Sequence, residues 1–292
     1  MPIPPASETP TRRALRRFRG DRIAMAALCV LALLFVIAGT FLALKLTGVP
    51  WPFDPNDPQL TVKLKPPSAA HWLGTDNLGR DVLTRLLHGT YISLSVGFLA
   101  VFVSLTIGVA VGAVSGYFGG WLDNTLMRVV DAIMCFPSFF LILTVIALLG
   151  PSFLNVTIVI GLVSWTGTAR LVRAEFLSLR EMEYVRAARA LGQSSGWIIF
   201  RHILPNALAP VYVTAVLGVA GAIMTEAGLS YLGFGVQPPQ ASWGNLIADG
   251  RTYILDAWWL ILFPGIAIFV TTLAFYLTGE GLRRSFDQKE TT

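Results

Sequence analysis

Six stretches of this chain are apolar for about 20 residues at a time, the length an α-helix needs to cross the hydrocarbon of a bilayer. They run Ile23–Leu44, Tyr91–Val114, Asn124–Leu149, Leu154–Val172, Asn206–Leu232 and Trp258–Leu277. In lipid a backbone must satisfy its own polar groups, so such stretches fold as helices. Over 292 residues only 13% are charged and 54% hydrophobic, with mean hydropathy +0.64. Soluble domains carry about 25% charged residues, so this chain lacks the polar surface to cover a water-soluble globule. The expected fold class is an all-α integral membrane protein with six transmembrane helices. Ser164, Thr166 and Thr168 dilute the fourth stretch.

Charge gives the orientation. Residues 1–10 are rich in Pro, Ser and Thr and read as irregular, and six arginines (12, 13, 16, 17, 19 and 22) follow before the first span. That span exceeds the 7–15-residue core of a cleaved signal peptide, so it is read as retained. Six spans put both termini on one side, and counting Lys and Arg gives 16 on the terminal side against six opposite. Both termini are therefore expected in the cytoplasm. The chain divides into a basic cytoplasmic segment 1–22, a first transmembrane helix 23–47 and an external segment 48–90. A five-helix core 91–281 and a cytoplasmic tail 282–292 follow. The net charge of +5 sits beside the spans and is no nucleic-acid signal. In the external segment, Asp81–His88 reads as a short interfacial helix, and the loop Gly233–Ala257 is expected to fold back toward the membrane. Trp258 and Trp259 are placed at the outer interface and Tyr276 at the inner one, with a kink at Pro264-Gly265.

Small residues recur every four positions in the second span, at Ala100, Ser104, Gly108, Gly112 and Gly116. Close helix packing explains such a stripe; lining a pore is the alternative. Thr214, Gly218, Ala222 and Glu226 share one face of the fifth span in the same way. Glu226 and Asp131 are the acids placed deepest, and ionisable groups at that depth are functional candidates because burial there is costly. Structural hydrogen bonding is the competing reading, for Asp131 through Arg128 three residues away. The two cysteines, Cys29 and Cys135, lie in apolar runs and form no framework. His71, Asp76, Asp81 and His88 fit no metal-ligand spacing. No Gly-Lys dipeptide exists, so no phosphate loop can hold ATP on this chain. An enzyme lacks a Cys/His/Ser constellation, and an ion-coupled secondary transporter would have a thin set of membrane acids.

One segment is out of place among the spans. Glu183–Pro205 is basic and amphipathic, with Tyr184, Val185, Ala188, Leu191, Ile198, Ile199 and Ile203 at helical spacing. Gly192-Gln193-Ser194-Ser195 interrupts it, so it reads as helix, turn, helix on the cytoplasmic side. EYVRAARALG (183–192) followed by IIFRHILPN (198–206) resembles the cytoplasmic signature loop of ABC importer permeases. GTDNLGRDVLTR (74–85) and EAGLSYLGFGVQPPQASWGNLIADGR (226–251) are similar to the second permease subunit of dipeptide and oligopeptide importers, a family that also includes glutathione and nickel transporters. The resemblance implies a type I ABC importer permease fold, short peptides as substrate and a bacterial cytoplasmic membrane. It also implies a second homologous permease, two ATPase subunits carrying the ATP and magnesium, and an external substrate-binding protein. No cofactor is expected on this chain itself. The same resemblance makes Glu183, Arg186, Ala187, Ala188, Leu191, Gly192 and Ser195 the ATPase-coupling residues. Arg186 stands where the family has a glutamate that contacts an ATPase arginine, and Glu183 is the alternative acid. Candidates for the path or gate are Met224, Thr225, Glu226 and Asp131. Candidates for contact with the binding protein are Asp76, Arg80, Asp81, Gln237 and Trp243.

Overall fold

A computed structural model describes residues 10–47 and 54–286. The irregular segment expected at 1–9, the start of the external segment at 48–53 and Lys289 lie outside the described residues. The fold is helical, and the described residues contain no strand, only one isolated bridge between Thr75 and Asp81.

The basic N-terminal segment forms α1 (Pro10–Gly20), and the first span is α2 (Arg22–Thr47). Asp21 separates them, its Oδ1 accepting from the Ile23 and Ala24 amides at 3.1 and 3.2 Å. A carboxylate there satisfies orphan N–H groups and favours the positive end of the helix dipole. The second span is far longer than its apolar core: α3 (Val82–Phe118) has 37 residues, about 55 Å at 1.5 Å per residue. The interfacial helix expected at Asp81–His88 is thus the first two turns of this span and no separate element. Nothing between His88 and Tyr91 breaks a helix, and the only start signal is Asp81, whose Oδ2 accepts from the Thr84 amide at 2.9 Å.

The third apolar stretch is also different from expectation. It is two helices, α4 (Gly120–Met134) and α5 (Ser138–Leu149), bent by 83°. Pro137 supplies the reason, since it has no N–H to donate and disfavours helix at the residue before it. Then come α6 (Phe153–Leu179), α7 (Glu183–Ala190), α8 (Ser195–Ile198) and α9 (Leu204–Tyr231), with a wide turn at Ile199–Ile203 joining α8 to α9. The outer loop folds α10 (Trp243–Gly250), and the last span is α11 (Trp259–Phe286). The helix α11 continues through Pro264. Among the described residues five helices are long and apolar enough to cross a membrane, or six if the bent pair counts as one span.

Glycine sets how these spans meet. A Cβ on Gly108 would lie 2.6 Å from Thr168 Cβ, on Gly112 2.5 Å from the Ala169 carbonyl, and on Gly116 2.5 Å from Phe176 Cβ. From the other side, a Cβ on Gly161 would meet the Ala100 carbonyl at 2.7 Å. The stripe in α3 is therefore a packing seam against α6. Around it, α9 packs on α3 at Gly97 with Val219 and Ile223, and α11 on α9 at Gly279 with Leu217. Ala24 and Phe18 sit against Gly281, and Arg284 approaches Asp21 at 3.4 Å. The α1–α2 junction and the end of α11 thus share one face of the molecule.

Gly112→Leu should force α3 and α6 apart, because the blocking atom is backbone. We expect a loss of about 1–3 kcal/mol, the range for overpacked cores, read as a lower melting temperature of the purified protein in detergent. An unchanged melting temperature would mean the seam can widen freely.

Candidate functional site

The segment Glu183–Pro205 is a helix–turn–helix anchored from beneath. Val185 and Ala188 of α7 are buried together with Ile198, Ile203, Phe176, Val172 and Tyr117. The turn has a complete glycine cap: Gly192 has φ +76°, its amide donates to the Arg189 carbonyl at 3.0 Å, and the Gln193 amide donates to Ala188 at 3.2 Å. This is a Schellman motif, which needs a left-handed residue that glycine adopts without a Cβ penalty. Ser194 then caps α8, its Oγ accepting from the Trp197 amide at 3.4 Å. Ser195, expected among the coupling residues, is exposed as the first residue of α8.

The outward surface is apolar and aromatic. Leu191 is 80% exposed, Phe200 72%, and Tyr184 and Trp197 are each more than 40% exposed. His202 packs between two of these rings, 4.6 Å from Trp197 and 6.0 Å from Tyr184. Glu183, Arg186 and Ala187 share this exposure, but Ala188, expected among the coupling residues, is buried and faces inward. Arg186 donates to Glu181 at 3.0 Å, and that hydrogen bond holds the Glu181 carboxyl below its ordinary pKa.

Beneath the segment lies an ion pair that the sequence reading passed over. Arg173 of α6 grips Asp123 of α4 with two hydrogen bonds, at 2.6 and 2.7 Å, and Ser115 of α3 also donates to Asp123. Three helices are thereby fastened at one point. The signal available was an acid three residues after Gly120 and one residue outside the expected third span. Asp131 pairs with Arg170 of α6, not with Arg128. Both lie on the α4–α6 side, away from the cavity described below.

On the outer face the nominated contacts turn inward. Asp76 accepts from Arg80 Nε at 2.6 Å and from the Leu78 and Arg80 amides, and both residues are buried. Arg85, 1% exposed, lies 3.6 Å from Asp76 and 3.7 Å from Asp249. Burial pushes the Asp249 carboxyl above its ordinary pKa, against the pull of Arg85 and Arg80. Asp81 is occupied as the cap of α3 and by His71 at 3.1 Å. Trp243 is 1% exposed, its backbone amide donating to Ser93 and its ring N–H to the Leu86 carbonyl. Asp76, Arg80 and Trp243 are therefore internal and unavailable to a docking protein. Gln237 braces its own loop by donating to the Gly233 and Gly235 carbonyls. Of the interfacial tryptophans, Trp258 is half-exposed, but Trp259 is buried and donates to the Thr75 carbonyl at 3.1 Å.

Glu226 is buried completely, its Oε1 accepting from Ser230 at 2.6 Å and Ser242 at 2.8 Å. It fastens α9 to the residue before α10 and is not among the residues lining the cavity described next. Thr225 does reach open space. With Thr214, Gly218 and Ala222 of the same helix it lines a cavity of ≈ 240 Å³ shared with α3 and α6. Met224 is exposed on another side of α9.

A membrane domain of bent and packed spans with an exposed helix–turn–helix under it is the fold of an ABC importer permease. An inward-facing structure of the MetNI methionine ABC transporter matches 70% of this chain and 98% of its own, with TM-score 0.53 at 19% identity. At the level of sequence, the model for "binding-protein-dependent transport system inner membrane component" matches residues 108–291. The model for the N-terminal TM domain of oligopeptide transport permease C matches residues 9–67. The chain belongs to this family of binding-protein-dependent transport permeases. It is 40% identical to the dipeptide transport system permease protein DppC of Alkalihalophilus pseudofirmus, over 96% of this chain and 90% of the relative. It is 39% identical to the glutathione transport system permease protein GsiD of Pectobacterium atrosepticum, over 96% and 92% of the two chains.

Removing the Asp123 carboxylate by Asp123→Ala leaves Arg173 without its partner at a partly buried site. Hydrogen bonds to charged groups contribute about 1.5–3 kcal/mol, and a loss in that range is expected in thermal unfolding of the detergent-solubilised protein. The double variant with Arg173→Ala should recover part of it, which a double-mutant cycle would measure.

Proposed function

We propose that the chain is the peptide-carrying permease subunit of an ATP-driven importer in a bacterial cytoplasmic membrane, with both termini in the cytoplasm. A second homologous permease completes the membrane domain. Two ATPase subunits dock on the Glu183–Pro205 segment and carry the ATP and magnesium, and an external binding protein delivers the substrate. Di- and oligopeptides are the favoured cargo, supported by the names of the relatives. Glutathione, itself a modified tripeptide, falls within the same chemistry and is supported by the glutathione permease among them.

The observation that carries the coupling role is the join between α8 and α9. From Ser195 to Tyr231 the chain forms one helical rod of 37 residues, so a push on the exposed aromatic surface is delivered straight to a span. The exposed Leu191, Trp197 and Phe200 are the apolar anchors for a groove on the ATPase, since clusters of aromatic and aliphatic side chains make such interfaces. Arg186 presents a positive charge there, partly neutralised by Glu181.

Gly192→Trp tests this reading. A side chain at φ +76° costs about 1–2 kcal/mol, and the bulky ring would stand in the docking surface. We expect the variant to insert and assemble with its partners while ATP hydrolysis no longer drives peptide uptake into proteoliposomes. Normal uptake would remove the segment from the coupling role. Wild-type uptake that survives ATP depletion and collapses with an ionophore would instead identify an ion-coupled transporter.

A further inference from the structure

The cavity between α3, α6 and α9 lies about midway along all three helices, and its lining holds five hydroxyl residues and no charged one. Three of the hydroxyls are used up by their own helix: Ser164 donates to the Ile160 carbonyl at 2.7 Å, Thr214 to Pro210 at 3.1 Å and Thr225 to Gly221 at 2.8 Å. The other two are different. Ser104 and Thr168 are 6% and 4% exposed, and their hydroxyls have no hydrogen-bond partner among the described residues. Neither oxygen is sealed inside the protein, so both are open to whatever fills the cavity. Two such hydroxyls, on two helices and on one cavity, mark a place where something else completes the bonds.

The mouth indicates what kind of space the cavity faces. Ser164 and Gly221 are exposed at its edge, whereas surfaces nearby carry exposed Phe102, Leu162 and Met224. Small and polar residues at an opening suit water or a hydrated neighbour, and large apolar ones suit acyl chains. The cavity of ≈ 240 Å³ is also far larger than the ~10–15 Å³ that one water needs.

We propose that this cavity is a substrate site within the subunit, where Ser104 and Thr168 hydrogen-bond the main-chain amides of a passing peptide. The inference rests on the peptide-importer reading given above. A hydroxyl both donates and accepts, which matches an amide N–H and C=O equally well. The absence of charge in the lining gives the site no preference between cargoes of opposite sign. It holds what all peptides share.

The test uses the assembled transporter, with its partner permease, ATPases and binding protein, in proteoliposomes. Uptake is measured for a panel of labelled di- and tripeptides, including one dipeptide with and without an N-methyl group on its amide. Wild type should favour the unmethylated form, and Thr168→Val and Ser104→Ala should each lower uptake at limiting peptide by about 3–10-fold, the effect of one hydrogen bond. The variants should also lose part of the discrimination against the N-methyl form. Because the binding protein is the same throughout, that change reports on the permease. Thr168→Ser, which keeps the hydroxyl, should restore both readouts. Variants that transport and discriminate like wild type, whatever their stability, would make the cavity a hydrated packing defect and overturn the proposal. Wild type that takes up none of the peptides would overturn the peptide reading itself, and the cavity's role with it.

Discussion

The approach of α3 to α6 is the constraint on which the other parts rest. Inside a bilayer, burying apolar side chains between helices gains little, because lipid tails are equally apolar; close backbone packing takes over. Gly108, Gly112, Gly116 and Gly161 bring the two helices together without side chains between them. This seam fixes where Arg173 reaches Asp123 and where Arg180 donates to the Gly116 carbonyl at 3.0 Å. It also places Phe176 and Tyr117 under α7. The helix–turn–helix is thus seated on a rigid pair of spans rather than hung from a loop, which lets it be both exposed and fixed in direction.

The legible features were those with a short-range cause. Helical periodicity with a single glycine gave the α7–turn–α8 segment, and the four-residue spacing of small side chains gave the α3 seam. The illegible ones depended on partners far along the chain. Asp76 and Arg80 look like exposed loop charges until Arg85 and Asp249 close around them, and Trp243 looks like a loop aromatic until Ser93 and Leu86 bind it from 150 or more residues away. The bend at Pro137 was masked because hydropathy runs on unbroken through it. The hydroxyls of the fourth span read only as a dilution of its apolarity, since nothing local says that Thr168 and Ser104 line one cavity.

Polar groups in the interior of this molecule differ in what they fasten. The Asp123, Glu226 and Asp76 carboxylates accept two or more hydrogen bonds apiece and fasten one segment to another. Each is a clamp, and the cost of its burial is offset only while all its donors stay in place. The Ser104 and Thr168 hydroxyls fasten nothing. What sets them apart is their place, since both line one cavity shared by three helices.

The helix α9 ties these parts into one device. At one end it continues α8, at its middle Thr214, Gly218 and Ala222 form a wall of the cavity, and near its other end Glu226 is bonded to Ser242 at the start of α10. A rod of 37 residues is about 55 Å long, enough to span the bilayer and both interfaces. Displacement of such a rod at one end must either bend it or move the other end. Pro205, Pro210 and the wide turn at Ile199–Ile203 lie in the half of it nearest α8, where the hydrogen-bond ladder is weakest, while the other half carries neither proline nor break. Bending is easiest in the part of the rod between α8 and the cavity, whereas the cavity wall and the Glu226 clamp share its unbroken part.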